Sequence, residues 1–365
     1  MTRLTRRTAL TLMGSALAMP HIARAQSGAL NVYNWADYIG PDTVAQFSEK
    51  TGIAVAYDNF SSVEEAEAKV LTGGTGYDLV LTSSSSLPRL IEAGVFQPLD
   101  RAQLPSWGNF DPAILELTAG WDAGNTYALP YTWGTTGIAY NVAMVKERLP
   151  DVDLTTADLL FKSENAAKLA DCGITFLDSP LDNLRLGLRY LGLDGNDMSD
   201  AAVDQFADLM LSVRPSIRNF DNTNVINALA NNDICAATIW SGDFAVARTR
   251  AAEAGSGAEL AYIVPATGAP IWVDAFCIPS DAPNAANAHA FLEFLLQPQI
   301  IADMTNHVTY ANANAASKPL IAPEILADPA IYPDPSVVAR LFPATAADDA
   351  QLRAITRAWR RVRAG

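Results

Sequence analysis

Residues 29–60 read ALNVYNWADYIGPDTVAQFSEKTGIAVAYDNF. The runs "ALNVYNW" and "GIAVAYDNF" have the composition of strands, and the connector "GPDTVAQFSEKTG" has that of a helix. In the connector Pro41 suits a first helical turn, Val44 and Phe47 fall on one face, and Gly52 suits the C-terminal cap. Two strands joined by a helix form a βαβ unit. The alternation continues with "VEEAEAKVLTGG" as helix, "YDLVLT" as strand and "SLPRLIEAG" as helix. A parallel sheet with helices on its faces follows. Ligands of such sheets collect at the carboxyl ends of the strands, and Asn34 to Tyr38 lie at such an end.

Further along, "YALPYTWGTTGIAYN" and "APIWVDAFCIPSDAP" are extended runs interrupted or flanked by proline. Between them lies enough chain for a second α/β lobe, and after them come the helices of "AANAHAFLEFLLQPQIIADMT" and a long tail. Two extended segments so far apart in sequence are what two lobes joined by crossing strands need. The length, 365 residues, agrees with two lobes at about 150 residues per domain.

The first 25 residues stand apart. They carry Arg3, Arg6, Arg7 and Arg24 and no acid, an apolar stretch from Thr8 to Met19, and Ala23-Arg24-Ala25 as a cleavage pattern. The apolar stretch is too short to span a bilayer. It reads as a cleaved export signal, and Arg6-Arg7 opens the twin-arginine route beside the general secretory one. Export permits disulfides. Cys172 and Cys235 each lie beside a strand-like run, whereas Cys277 sits inside one, so the expected pairing is Cys172 with Cys235, with Cys277 a buried free thiol.

Forty acids stand against 25 bases. That balance argues against nucleic acid or anionic lipid as the main partner, since both need basic surface. The chain lacks G-x-S-x-G, H-E-x-x-H and a phosphate loop; "GGTGYD" at Gly73 to Asp78 has no lysine. Only His289 and His307 follow the leader, which poorly supplies a triad or a zinc site. No cofactor and no metal are expected. Paired carboxylates could still hydrolyse glycosides, so a carboxylate-based hydrolase is the alternative from another class.

What recurs is an aromatic residue beside an aspartate, at the ends of strand-like runs: Trp35-Ala36-Asp37-Tyr38, Trp240-Ser241-Gly242-Asp243 and Trp272-Val273-Asp274. Aromatic faces attract cations and carboxylates add charge-assisted hydrogen bonds, so the expected ligand is cationic and partly apolar. Each element also has a plain structural reading. The tryptophans could be core, Asp37 could cap the helix near Pro41, Asp243 could cap one beginning at Phe244, and one of Ser83 to Ser86 should cap "LPRLIEAG".

The stretches "YNWADYIGPDTV", "TGIAVAYDNF", "GYDLVLTSSS", "ALPYTWGTTGIAYN", "CGITFLDSP", "ANNDICAATIWSGD", "WVDAFCIP" and "HVTYANANAASKPL" resemble the periplasmic polyamine-binding proteins of ABC importers, and most of all their putrescine-binding branch. The likeness runs from about Leu30 to the C-terminus. It implies an α/β, two-lobed periplasmic binding protein fold of type II, each lobe a mixed sheet flanked by helices, with the ligand in the interlobe cleft. The expected lobes are residues 29–136 with 271–308, and 137–270 with 309–365. It also supports the Cys172 to Cys235 pairing, a periplasmic location, an inner-membrane ABC permease as partner, and a monomeric, non-enzymatic role.

By the same resemblance Trp35 and Trp240 sandwich the methylene chain of a polyamine. Asp243 and Asp274 hold one ammonium, and Asp37 the other, helped by Asp182 through water. Tyr38, Ser83, Ser85, Trp272 and Tyr310 complete the box. Some positions depart from the family pattern. Ala36 stands where a hydroxyl is usual, Ser86 where an aromatic wall is usual, Asp182 in place of Glu, and Trp272 where putrescine binders tend to carry Phe and spermidine binders Trp. Ser179 stands where spermidine binders carry a further carboxylate, which leaves a third ammonium without a partner. Putrescine leads, with cadaverine, agmatine and spermidine behind it; a sensor on the same fold is the second reading.

Overall fold

The computed structural model describes residues 28–36, 38–60 and 62–365. The export leader and Asp37 lie outside the described residues. Eleven strands are present among them: β1 Gly28–Trp35, β2 Ile53–Phe60, β3 Leu79–Ser83, β4 Ala128–Asn141, β5 Ile174–Phe176, β6 Ile217–Phe220, β7 Ala236–Trp240, β8 Leu260–Ile263, β9 Ala269–Cys277, β10 Ala311–Asn312 and β11 Leu341–Pro343. Their order is β2-β1-β3-β9-β4-β7-β5-β6, with β8 and β10 also on β4 and β11 on β9.

The opening βαβ unit is as expected: β1 and β2 pair in parallel around the helix Thr43–Thr51, which ends on Gly52 at φ 75°. Glycine takes that left-handed turn without steric cost. Pro41 is not in the first helical turn. The helix begins two residues later, with Asp42 at its N-cap, and Phe47 is its fully buried contact.

The sheet is mixed rather than purely parallel. β1, β2 and β3 run parallel at one end, and β5, β6 and β7 at the other. Between them β9 lies antiparallel to β3 and β4, and β4 antiparallel to β7. The long strand β4 changes partner along its length: its residues from Ala128 to Thr135 pair with β9, and those from Thr136 to Tyr140 with β7. It belongs to both halves of the molecule. Pro130, which has no N–H to donate, sits at a register shift between Pro130 and Thr132.

Each half has its own core. Leu30, Val32, Phe47, Leu79, Phe276 and Phe291 pack in the first; Leu159, Phe161, Phe176, Phe206 and Trp359 in the second. Each such side chain, withdrawn from water, contributes about 1.5–3 kcal/mol. The second core is stapled by the disulfide Cys172–Cys235, with Cα atoms 5.5 Å apart, and Cys277 is buried and free. Among the described residues no helix is long and apolar enough to cross a membrane.

Candidate functional site

Three segments far apart in sequence meet where β3, β9 and β4 lie side by side. Asp274 stands opposite Ser83 of β3 and Thr132 of β4 in register. Trp272 and Asp274 are therefore in the middle of β9, not at a strand end as their sequence context implied. Residues two apart on a strand share a face, so this indole and this carboxylate are presented together.

Asp274 is 7% exposed. The Tyr38 hydroxyl donates to its Oδ2 at 3.1 Å and lies 2.7 Å from Thr132 Oγ1, so Thr132 supplies the proton of that second bond. Burial drives the Asp274 carboxyl up to about 7, Asp182 adds to the rise, and the bonds from Tyr38 and Ser83 oppose it. Ser85 leans on Ser83, Oγ to Oγ at 3.5 Å. Ser84 is turned towards the sheet instead. Its N–H reaches Val273 O at 2.8 Å and its hydroxyl accepts from Val273 N at 3.1 Å, stitching the loop after β3 to β9. Ser86 occupies the N-cap position of the helix Leu87–Glu92 but makes no side-chain capping bond.

The second carboxylate comes from the other half. The helix Ser241–Ala254 follows directly on β7, with Trp240 at its N-cap, so Asp243 lies inside the first turn and not before it. Tyr310 donates its hydroxyl to Asp243 Oδ1 at 2.8 Å. Burial lifts this carboxyl to about 6, against the bond from Tyr310 and the more distant charge of Arg250. The Tyr310 ring touches Tyr38 edge-on at 5.3 Å and Trp272 at 5.6 Å, which joins the two carboxylate clusters through aromatic contacts. Burial and the adjoining carboxylates hold the Tyr38 and Tyr310 hydroxyls well above the usual phenol range, so both remain donors.

Two glycines make room for these rings. A Cβ on Gly242 would stand 2.3 Å from the Tyr310 ring, and one on Gly134 would stand 2.6 Å from Trp272 Cζ2. Trp35, Trp240 and Trp272 all pack against the first core although Trp240 ends a strand of the other half. Trp35 rests on Phe60 with ring centroids 4.5 Å apart.

Asp182, in the first turn of the helix Pro180–Tyr190, is engaged by protein groups on both oxygens. Thr136 Oγ1 donates to Oδ1 at 2.8 Å, and Ser179 Oγ and Trp240 Nε1 donate to Oδ2 at 2.6 and 3.2 Å. Thr132 and Thr136 were missed by sequence reasoning. Their one signal is the Thr-rich "YTWGTT" within a strand that carries hydroxyls on a buried face. Asp78, buried beneath β1, accepts from Asn31 N and Asn284 N and is structural. No group of three metal-ligating side chains is present among the described residues. A surface hollow along the helix Asp349–Ala364, lined by Arg353, Arg357 and Arg360 among others, contains none of the residues above.

Two lobes joined by crossing strands, with carboxylates and aromatics gathered where the strands cross, define a type II periplasmic binding protein. Residues 42–333 match the family of bacterial extracellular solute-binding proteins, and the chain belongs to that family. It is 46% identical, over 93% of both chains, to the putrescine-binding periplasmic protein PotF of Escherichia coli. It is 41% identical to the putrescine-binding periplasmic protein SpuD of Pseudomonas aeruginosa over 98% of this chain and 97% of that one. A solved structure described as a putative spermidine/putrescine ABC transporter from Listeria monocytogenes superposes with a TM-score of 0.82 at 30% identity, covering 92% of this chain and 99% of that one. The protein is thus a solute-binding protein of the periplasmic kind and not an enzyme, and the hydrolase alternative falls away.

Proposed function

We propose that this protein captures a short aliphatic diamine, putrescine first, in the periplasm and delivers it to an inner-membrane ABC permease. The observation that carries this reading is the pair Asp243 and Asp274. Asp274 is buried and Asp243 partly so, both receive a tyrosine hydroxyl, and neither is in ion-pair contact with a Lys or Arg among the described residues. A desolvated carboxylate without a counter-ion is expensive, and an ammonium placed between the two offsets that cost. The names of the relatives support the same ligand class.

In this reading Trp35 and Trp240 flank the methylene chain, Asp37 faces the far ammonium, and Tyr38, Ser83, Ser85, Trp272 and Tyr310 close the box. The lobes are residues 29–136 with 271–308 and 137–270 with 309–365. The ligand touches both, so it binds the closed arrangement better than the open one. The receptor acts as a monomer, and the Arg6-Arg7 pair supports export by the twin-arginine route. Cadaverine, agmatine and spermidine are the competing ligands, and Ser179 disfavours the last.

The experiment is calorimetric titration of the mature protein, unfolded and refolded to strip carried-over ligand, with putrescine, cadaverine, agmatine and spermidine. One-to-one binding of putrescine with spermidine much weaker supports the assignment. Silence towards every amine overturns it.

A further inference from the structure

Asp182 is a poor candidate for a ligand counter-charge, because it is already occupied. A carboxylate offers about four acceptor sites, and three are taken by Thr136, Ser179 and Trp240. Arg185, buried one turn along the same helix, adds an opposite charge. Ser179 holds the N-cap position of the helix Pro180–Tyr190, where its hydroxyl would ordinarily accept from a backbone N–H. It makes no such bond and donates to Asp182 instead, at 2.6 Å.

The three donors also come from meaningful places. Thr136 is the residue at which β4 leaves β9 for β7, and it stands opposite Trp240 in register. Trp240 is the last residue of β7, with its indole N–H 3.2 Å from Asp182 Oδ2. One carboxylate therefore ties the crossing strand, the start of a helix and the aromatic ring to each other. Trp35, the opposite wall, rests on Phe60 by ring contact.

We propose that Asp182 is a positioning residue: its carboxylate, shared with Thr136 and Ser179, fixes the plane of the Trp240 ring where β4 passes between the lobes, and does not serve as a counter-charge for the ligand. This rests on the reading of the cleft as an amine site walled by Trp240. The Trp240 wall is then rigid and selects for a chain of the right thickness, whatever the charge at the far end of the ligand.

The test compares the double variant Ser179→Ala/Thr136→Val and the single variant Asp182→Asn with the wild type. The double variant keeps the Asp182 charge but removes two of the bonds that hold it. A positioning role predicts putrescine binding weaker by about tenfold in the double variant. In Asp182→Asn, whose amide oxygen still accepts from the indole, the loss is less than tenfold. A counter-charge role predicts the reverse: unchanged or tighter binding in the double variant, where the carboxylate is freed towards the ammonium, and a loss of about thirtyfold or more in Asp182→Asn. That reversed pattern overturns the proposal. Ser179→Ala alone gives the same sign at smaller size if the double variant does not fold, which thermal unfolding reports. The near-ultraviolet circular dichroism of Trp240, isolated by difference against Trp240→Phe in the empty protein, needs no ligand. It should fade in the double variant, and an undiminished band also overturns the proposal. If the wild type binds no amine, the functional reading fails while this band still decides the role of Asp182.

Discussion

The Tyr38 hydroxyl donates to Asp274 Oδ2 at 3.1 Å across 236 positions of sequence, which ties the segment after β1 to the middle of β9. Among the described residues no Lys or Arg forms an ion pair with this carboxylate, and the bond from Tyr38 holds its orientation. Replacing Asp274 or Asp243 by Ala should weaken putrescine binding by about 2 kcal/mol or more, near thirtyfold. Tyr38→Phe should cost less, about 1.5 kcal/mol, since it removes the hydroxyl's bonds to Asp274 and Thr132 but leaves the charge. Calorimetric titration reads all three, and wild-type affinity in either Ala variant would sink the site.

Burial places Asp274 near 7 and Asp243 near 6, against an ordinary 3.8. Between pH 4 and 7 the folded, empty protein therefore binds more protons than the unfolded chain, and these two groups lower stability as pH rises through that window. The slope is at most about 1.4 kcal/mol per pH unit for each group. A bound dication needs both carboxylates ionised, so affinity should fall as pH drops from 8 to 5. Titrations at pH 6.5 in buffers of different ionisation enthalpy should register protons released on binding. A dissociation constant flat from pH 5 to 8 would contradict this, as would an Asp274→Asn variant with the wild-type slope of stability against pH.

The disulfide Cys172–Cys235 closes a loop of 63 residues. Chain entropy alone assigns such a loop about 4 kcal/mol. Reduction, or Cys172→Ser with Cys235→Ser, should lower the melting temperature markedly while changing putrescine affinity little at temperatures where the protein stays folded, because neither sulfur is part of the site. Equal melting temperatures with and without reductant would refute the claim.

Gly242 lies under the Tyr310 ring, and a Cβ there would come to 2.3 Å. Gly242→Ala must displace Tyr310 and with it the 2.8 Å bond to Asp243. The expected result is affinity lower by tenfold or more, with about 1–3 kcal/mol of stability lost to overpacking. Titration and thermal unfolding separate the two effects, and unchanged binding would show that Tyr310 is not held by this contact.

Trp272 Nε1 is buried without a hydrogen-bond partner among the described residues. Trp272→Phe therefore gives up packing area but no polar bond, and putrescine affinity should stay within a few-fold of wild type. A loss above thirtyfold would mean that the indole N–H matters to the ligand.

Local pattern was enough for part of this. Hydrophobic periodicity and turn residues made the opening βαβ unit legible, because neighbours in sequence are neighbours in a helix or strand. Pro41 was misplaced by two residues, since helix boundaries depend on capping and packing as well as on propensity. The Cys172 to Cys235 pairing was also readable, and so was the recurrence of aromatic and acid. The two extended runs pointed to two lobes and the aromatic–acid pairs to a cationic ligand; the family likeness added the fold type and the polyamine class.

Tertiary structure alone decided the rest. Composition says nothing of register, and it is register that sets Asp274 opposite Ser83 and Thr132 in mid-strand and brings Tyr38 to it from 236 positions away. Nor does sequence show which acids are exposed. Asp243 and Asp274 are lifted by desolvation and make no ion pair among the described residues, while Asp182, chemically identical, is taken up by two hydroxyls and an indole. The charge each acid can offer a ligand depends on the donors around it, and those donors come together only when β4 crosses from one lobe to the other.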